Sequence, residues 1–219
     1  MSDGTLFIAN RRYSSWSLRA WLAVRLARLD VEEKLLPLSG TGQTPEIQAV
    51  SPSGKLPVLH HRGAVIWESV AIADYCGEIT PHLWPLDPAA HWFARSIAAE
   101  MHAGFRDLRI ALPMVIGVDR TDIAFSPEVL GDVARIERIW AEARSRFGAG
   151  GPYLFGATFG LADVMFAPVV LRFLAYHPPL SAVSLAYCQA VCSHALVAAW
   201  CDGAKAEPES WRRERYEPR

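Results

Sequence analysis

Three short segments of this 219-residue chain carry residue types that do chemistry at places where backbone groups are free to meet a ligand. In the first, Arg12-Tyr13-Ser14-Ser15-Trp16-Ser17, hydroxyls sit where a short apolar strand gives way to a helix. A helix N-terminus presents unpaired N–H groups and the positive end of its dipole, so hydroxyls there either cap the helix or help hold a negative charge. In the second, Gly54-Lys55-Leu56-Pro57-Val58-Leu59, a proline interrupts a strand signal. Proline lacks the ladder donor and keeps its predecessor extended. Pro57 is therefore either an ordinary edge-strand proline or the mark of a Leu56 whose N–H and C=O await another partner. The third, Trp67-Glu68-Ser69-Val70-Ala71-Ile72, opens a helix on a glutamate and a serine. Such a start attracts a carboxylate, and it is also an ordinary cap.

The elements that must position these residues follow from periodicity. Leu6 to Ala9 reads as a buried strand, Trp16 to Leu29 as a helix and Val31 to Leu38 as a second strand, followed by a loop from Ser39 to Pro45. Pro57 to His61 and Ala64 to Ile66 form a hairpin across Arg62-Gly63, and Glu68 to Tyr75 is a helix stopped at Gly77. The order is that of an α/β layer with a mixed sheet. Thr80 to Pro88, rich in proline, cannot continue a helix and marks a boundary. Beyond it the pattern is all helical. Ser126-Pro127-Glu128 caps a helix with Val129, Val133, Ile136, Trp140, Ala143 and Phe147 on one face. Further helices are expected over Ala89 to Leu112, Leu161 to Tyr176, Leu180 to Cys192 and Leu196 to Ala206, with a solvated, frayed tail from Glu207 to Arg219.

Composition narrows the function classes. With 51% apolar residues and a net charge of −1, the chain can build a core and lacks the basic surface that nucleic acid requires. Its longest apolar runs, such as Val164 to Leu171, fall far short of the ~20 residues of a membrane span. Met1-Ser2-Asp3-Gly4 has no signal-peptide character, and Cys76, Cys188, Cys192 and Cys201 include no CxxC, so a cytoplasmic protein with core thiols is expected. GxSxG, HExxH and GxxxxGK are absent, and Gly40-Thr41-Gly42 lacks the third glycine of a dinucleotide fingerprint. His60 and His61 point to opposite faces of a strand, and no metal site is expected.

The three segments, in order and spacing, resemble the glutathione-binding domain of the glutathione transferases, and the S-S-x-S-x-R run Ser14 to Arg19 resembles the zeta class, which includes maleylacetoacetate isomerases. The resemblance implies an α/β thioredoxin-like N-terminal domain over residues 1–80, a linker over 81–88 and an all-α helical domain over 89–219. It implies a cis Leu56-Pro57 bond, with Leu56 pairing antiparallel to the cysteinyl part of glutathione. Ser69 and the adjoining amides would receive the γ-glutamyl carboxylate, Glu68 its ammonium group, and Gln43 and Lys55 the glycine carboxylate. Gln43 and Lys55 are equally readable as surface residues. A homodimer is implied as well.

On that reading Ser14 is the catalytic serine by position, Ser15 a second donor, and Tyr13 an alternative hydroxyl. Lowering a thiol pKa by ~2 units needs ~2.7 kcal/mol of preference for the thiolate. A hydroxyl hydrogen bond to the charged sulfur, at roughly 1.5–3 kcal/mol, together with helix N–H groups suffices. The zeta class has cysteine where this chain has Trp16, which puts isomerase activity in doubt. The expected activity is transfer of glutathione to a small hydrophobic electrophile, with isomerase and peroxidase variants using the same thiolate. A catalytically idle binding module is the alternative. Trp16, Met101, Phe105, Arg109 and Met114 form the candidate electrophile site, apolar with one arginine, as suits an acceptor bearing a negative or electron-withdrawing group. Core packing is the other reading of the last four. Gly160-Leu161-Ala162-Asp163 reads as a capping box, a folding signal and not a catalytic acid.

Overall fold

The computed structural model describes residues 2–38, 44–214 and 216–217. Strands β1 (Gly4–Ile8), β2 (Val31–Leu35), β3 (Val58–His61) and β4 (Ala64–Trp67) form one mixed sheet in the order β2-β1-β3-β4. β1 runs parallel to β2 and antiparallel to β3, so the return from β1 to β2 needs a crossover, and α1 (Ser15–Leu26) supplies it. β3 and β4 close through Arg62 and Gly63, both at positive φ, the backbone a two-residue hairpin demands. Helix α2 (Pro45–Val50) precedes β3 and α3 (Ser69–Ile79) follows β4. The α/β layer expected from the sequence is thus present, followed by helices α4 (Pro88–Ala103), α5 (Arg106–Ala111), α6 (Pro127–Phe147), α7 (Leu161–Tyr176), α8 (Ala182–Cys192) and α9 (Ala195–Lys205). No single helix among the described residues is long and apolar enough to cross a membrane.

Several local expectations are corrected. α3 runs through Gly77, which does not stop it. A Cβ there would lie 2.5 Å from the Trp84 ring, so that glycine is required for close packing. The helix expected from Ala89 to Leu112 is broken at Gly104, which is extended, and at Phe105, which is left-handed at φ 61°. The break is held by Arg109, whose guanidinium donates to the carbonyls of Gly104 (2.9 Å) and Met101 and so caps the end of α4. α1 ends earlier than expected, because Arg28 takes a left-handed conformation. The tail is not frayed: residues 207–214, 216 and 217 lie back against the β1–α1 connection.

α7 is the axis of the helical part, buried along nearly its whole length, with Trp140 of α6 packed on its Phe166 and Phe173 and on Tyr187 of α8. Its start is held by Asp163. The carboxylate accepts from Gly160 N (2.9 Å), Leu154 N (3.1 Å) and the Tyr187 hydroxyl (3.0 Å). Gly160 replaces the usual serine or threonine because a Cβ there would come within 3.0 Å of the Leu83 carbonyl.

Burial pushes the Asp163 carboxyl up to about 6 from 3.8, against the pull of its three donors. A raised acid stabilises the fold most below the unfolded value and loses that contribution as pH rises through the folded one. Asp163→Ala is expected to lower the unfolding free energy by about 3–5 kcal/mol, because three buried donors lose their acceptor. Urea unfolding at pH 7 measures the loss, and the same titration from pH 4 to 7 should show the variant without the decline that Asp163 imposes.

Candidate functional site

β1 delivers the chain into a tight turn in which Asn10 O accepts from Tyr13 N and Ser14 N, at 3.4 and 3.0 Å. Ser14 is the N-cap of α1. Its Oγ accepts from Ser17 N (3.2 Å) and donates to Ser17 Oγ (2.9 Å), which in turn accepts from Ala9 N at 3.0 Å. The capping role is therefore filled, and the Ser14 proton reaches a ligand only by leaving Ser17. Ser15 Oγ accepts from Arg172 Nη2 of α7 at 3.5 Å and has no protein acceptor for its own proton among the described residues. Both serines are nearly buried yet line a cavity.

A cavity of about 160 Å³ is lined by Trp16, Ser53, Lys55, Leu56, Pro57, Glu68 and Ser69, so the second and third sequence segments meet. The Leu56–Pro57 bond is cis. Sheet pairing begins only at Val58, and the Leu56 N–H and C=O bond to no described residue. Ser69 opens α3 with its hydroxyl buried and without a hydrogen-bond partner. Glu68 before it is exposed and holds φ at 67°, an uncommon conformation for a non-glycine residue that concentrates at ligand sites. Its Oε2 lies 3.6 Å from His102 Nε2. Gln43 lies outside the described residues.

A larger cavity of about 510 Å³ shares Trp16 with the smaller one as a lining residue. Tyr13, Ser14, Ser15 and Leu38 line it from the α/β layer, and Arg109, Ile110, Pro113, Met114 and Arg172 from the helices. Of the residues expected to form the electrophile site, Trp16, Arg109 and Met114 reach this cavity. Met101 and Phe105 are buried in the hydrophobic core instead, Met101 on α4 and Phe105 at the break after it.

Cationic side chains crowd this region, with Glu68 acting on His102 and Asp132 on Arg109 from the opposite sign. The Trp16 ring stands between the guanidinium groups of Arg19 (4.9 Å) and Arg109 (5.0 Å), with His102 edge-on at 5.1 Å. Arg19 is completely buried, donates from Nε to Met165 O at 2.9 Å, and leaves both Nη atoms unbonded. Arg172 donates to the carbonyls of Leu112 (2.7 Å) and Pro168 (3.2 Å). Arg109 Nη1 is also unbonded. Among the described residues no carboxylate lies within ion-pair distance of the three. Burial, then the charges of Arg109 and Arg172, push Arg19 well below its ordinary value; burial, then Arg109, brings Arg172 down to about 9. Burial first, then Arg19, lowers His102, against the opposing pull of Glu68.

Sequence reading missed Arg19, His102 and Arg172 as parts of this region. The available signal was a lone arginine inside an otherwise apolar helical run, which has no polar face to turn to.

Two family models match the chain: the N-terminal domain of glutathione S-transferases over residues 13–79, and the C-terminal domain of the same proteins over 90–206. A probable maleylacetoacetate isomerase of Caenorhabditis elegans is 33% identical over 43% of this chain, a match that spans only 45% of that protein. Glutathione S-transferase 1 of Dianthus caryophyllus is 29% identical over 72% of both chains. Among solved structures, a glutathione transferase homolog from Burkholderia with bound glutathione superposes with a TM-score of 0.69 at 20% identity, over 93% of this chain and 99% of that one.

A buried cation with unbonded donors and no counter-ion costs stability. Arg19→Met is therefore expected to raise the unfolding free energy by about 1–2 kcal/mol, measured by urea unfolding. A loss of that size would mean that the guanidinium is satisfied within the fold.

Proposed function

The chain belongs to the glutathione S-transferase family, and we propose that it is an enzyme that binds glutathione beside Leu56 and directs its thiolate at a small electrophile in the larger cavity. The observation that carries this reading is the meeting of two cavities at Trp16, one lined by the glutathione segments and the other by Ser14 and Ser15. Residues 1–80 supply the glutathione site and 89–219 most of the acceptor site, joined by 81–88.

Each glutathione group has a chemical match. The Ser69 hydroxyl and the first N–H groups of α3 take the γ-glutamyl carboxylate, and Glu68 its ammonium. Leu56 pairs its free N–H and C=O with the cysteinyl backbone, a strand addition that Pro57 leaves open. Lys55, and Gln43 from outside the described residues, take the glycine carboxylate. The thiol then reaches past Trp16 to the serines. On ionisation its proton leaves to water, and the thiolate accepts from Ser15 Oγ, or from Ser14 Oγ once it turns from Ser17. The sulfur forms a bond to the electrophilic carbon. A leaving group departs with its electron pair, or a proton adds to the neighbouring carbon of a double bond.

Reversal of such an addition after bond rotation is isomerisation. The bulk of Trp16 in place of a thiol-bearing residue argues for transfer over isomerisation. The acceptor best matched to the larger cavity is a small organic anion, because Arg109 and Arg172 line it without a carboxylate.

Thiolate absorbance of bound glutathione tests the serines. Replacing both Ser14 and Ser15 by alanine should raise the bound thiol pKa by about 1–2 units, the worth of the hydrogen bonds removed. An unchanged pKa removes the serine role, and a folded protein that fails to retain glutathione favours the binding module. In an acceptor panel, a carboxylate-bearing double bond should show a KM about tenfold below that of its neutral ester, and Arg172→Met should erase the difference.

A further inference from the structure

Glu68 lines the smaller cavity with its backbone held at φ 67°, and it precedes α3 without giving that helix a side-chain capping bond. Its carboxylate is left for other work. One side chain of the helical part meets it: His102, in the last turn of α4, places Nε2 3.6 Å from Glu68 Oε2. The His102 ring packs edge-on against Trp16 of α1 at 5.1 Å, and its carbonyl accepts from Arg109 Nη2 of α5 at 3.5 Å. Ring and backbone are thus both held. Nδ1 is buried and has no hydrogen-bond partner. A neutral imidazole carries one proton, and a buried N–H without an acceptor costs more than a buried lone pair, which assigns that proton to Nε2, on the Glu68 side.

We propose that His102 is a positioning residue for glutathione, steering the Glu68 carboxylate toward the γ-glutamyl ammonium when neutral and competing with that ammonium for Glu68 when protonated. At 3.6 Å the neutral contact is longer than a full hydrogen bond, so it directs the carboxylate and leaves its lone pairs to the ligand. An imidazolium in the same place is a counter-ion. Among the described residues Glu68 is the one carboxylate lining this cavity, where Lys55 is the other charged side chain, so an ammonium bound there has no second acid to turn to.

The groups facing His102 set the pH at which it changes role. Burial lowers its pKa most, followed by Arg19 of α1, while Glu68 raises it and Arg109 of α5 lowers it again. The carbonyl end of α4 favours the cation as well. With burial and Arg19 prevailing, the competing form appears on the acid side of an ordinary imidazole, and glutathione binding weakens as pH falls through that value.

The proposal rests on the glutathione reading, and calorimetric titration of the full chain separates their failures. Two probes are used: S-methylglutathione, which has no thiol to ionise, and its deamino analogue, which has no ammonium. Between pH 8 and pH 5 the Kd of the wild type for S-methylglutathione should rise about tenfold, the worth of one charged contact, while that for the deamino analogue changes by less than about twofold. At pH 8, His102→Ala should weaken S-methylglutathione about threefold and leave the analogue unchanged, which also shows that the variant folds. His102→Gln, whose amide can donate to Glu68 and does not titrate, should restore the affinity and remove the pH dependence. In Glu68→Gln the His102 resonance, followed by NMR, should titrate about half a unit lower, because the neighbouring negative charge is gone.

An equal response of the two peptides to pH or to His102→Ala overturns the proposal while the glutathione site stands. A pH dependence that survives in His102→Gln, or a His102 titration that ignores Glu68→Gln, overturns it too. A wild-type chain that binds neither peptide at any pH removes the glutathione reading and the proposal with it.

Discussion

A helix buried on almost every face has few places to put polar groups, and α1 is such a helix. It lies between the sheet, α3 and α7, with Ser15, Ser17 and Arg19 inside and Ser14 as its cap. Each buried polar group must find a partner or carry the cost of having none. Ser17 resolves its share locally, taking the protons of Ala9 N and Ser14. Arg19 finds one carbonyl of α7 and no more. What α1 cannot satisfy gathers at its first turn, around Trp16, where the two cavities meet.

The same imbalance recurs around the site. The Ser69 hydroxyl, both Nη atoms of Arg19, Nη1 of Arg109 and Nδ1 of His102 are buried without partners near Trp16, as are Trp84 Nε1 and Trp140 Nε1 in the core, while Asp163, equally buried, has three. Unmet donors are costly in a finished fold and useful in one that receives an anionic ligand, because the ligand then completes the hydrogen bonding at no reorganisation cost. Arg109 shows both uses in one side chain. Its Nε and Nη2 cap α4, its remaining nitrogen is buried without a partner, and its guanidinium lies over the Trp16 ring.

The three chemical segments were legible because each is a local signal. Cap residues, a proline in a strand and a helix opening on Glu-Ser depend on neighbours a few positions away, and the structure gathers Leu56, Pro57, Glu68, Ser69 and Trp16 around one cavity. α6 was legible for the same reason, with Ser126 and Pro127 marking its start. Gly77 was misread because a glycine forced by a distant tryptophan looks the same in sequence as one that ends a helix. The break at Gly104–Phe105 was hidden because Arg109, five residues on, stabilises a kink that apolar periodicity passes over. The tail was misread because its charged composition is that of a solvated end, while Glu207 and Glu217 bond to partners 196 and 204 residues away.

By itself the sequence determined the order of the strands, the α/β layer followed by helices and the residues at which backbone groups are left open, since these follow from propensity, periodicity and capping within one or two turns. The tertiary structure alone decided that Arg19, Arg109 and Arg172 converge around Trp16 and Ser15, that Trp16 lines two cavities, that Met101 and Phe105 belong to the core, and that Arg213 and Tyr216 line the larger cavity. Those features depend on contacts between segments far apart in sequence. Such contacts are set by which buried groups can satisfy one another once the helices have packed, and no local pattern records that outcome.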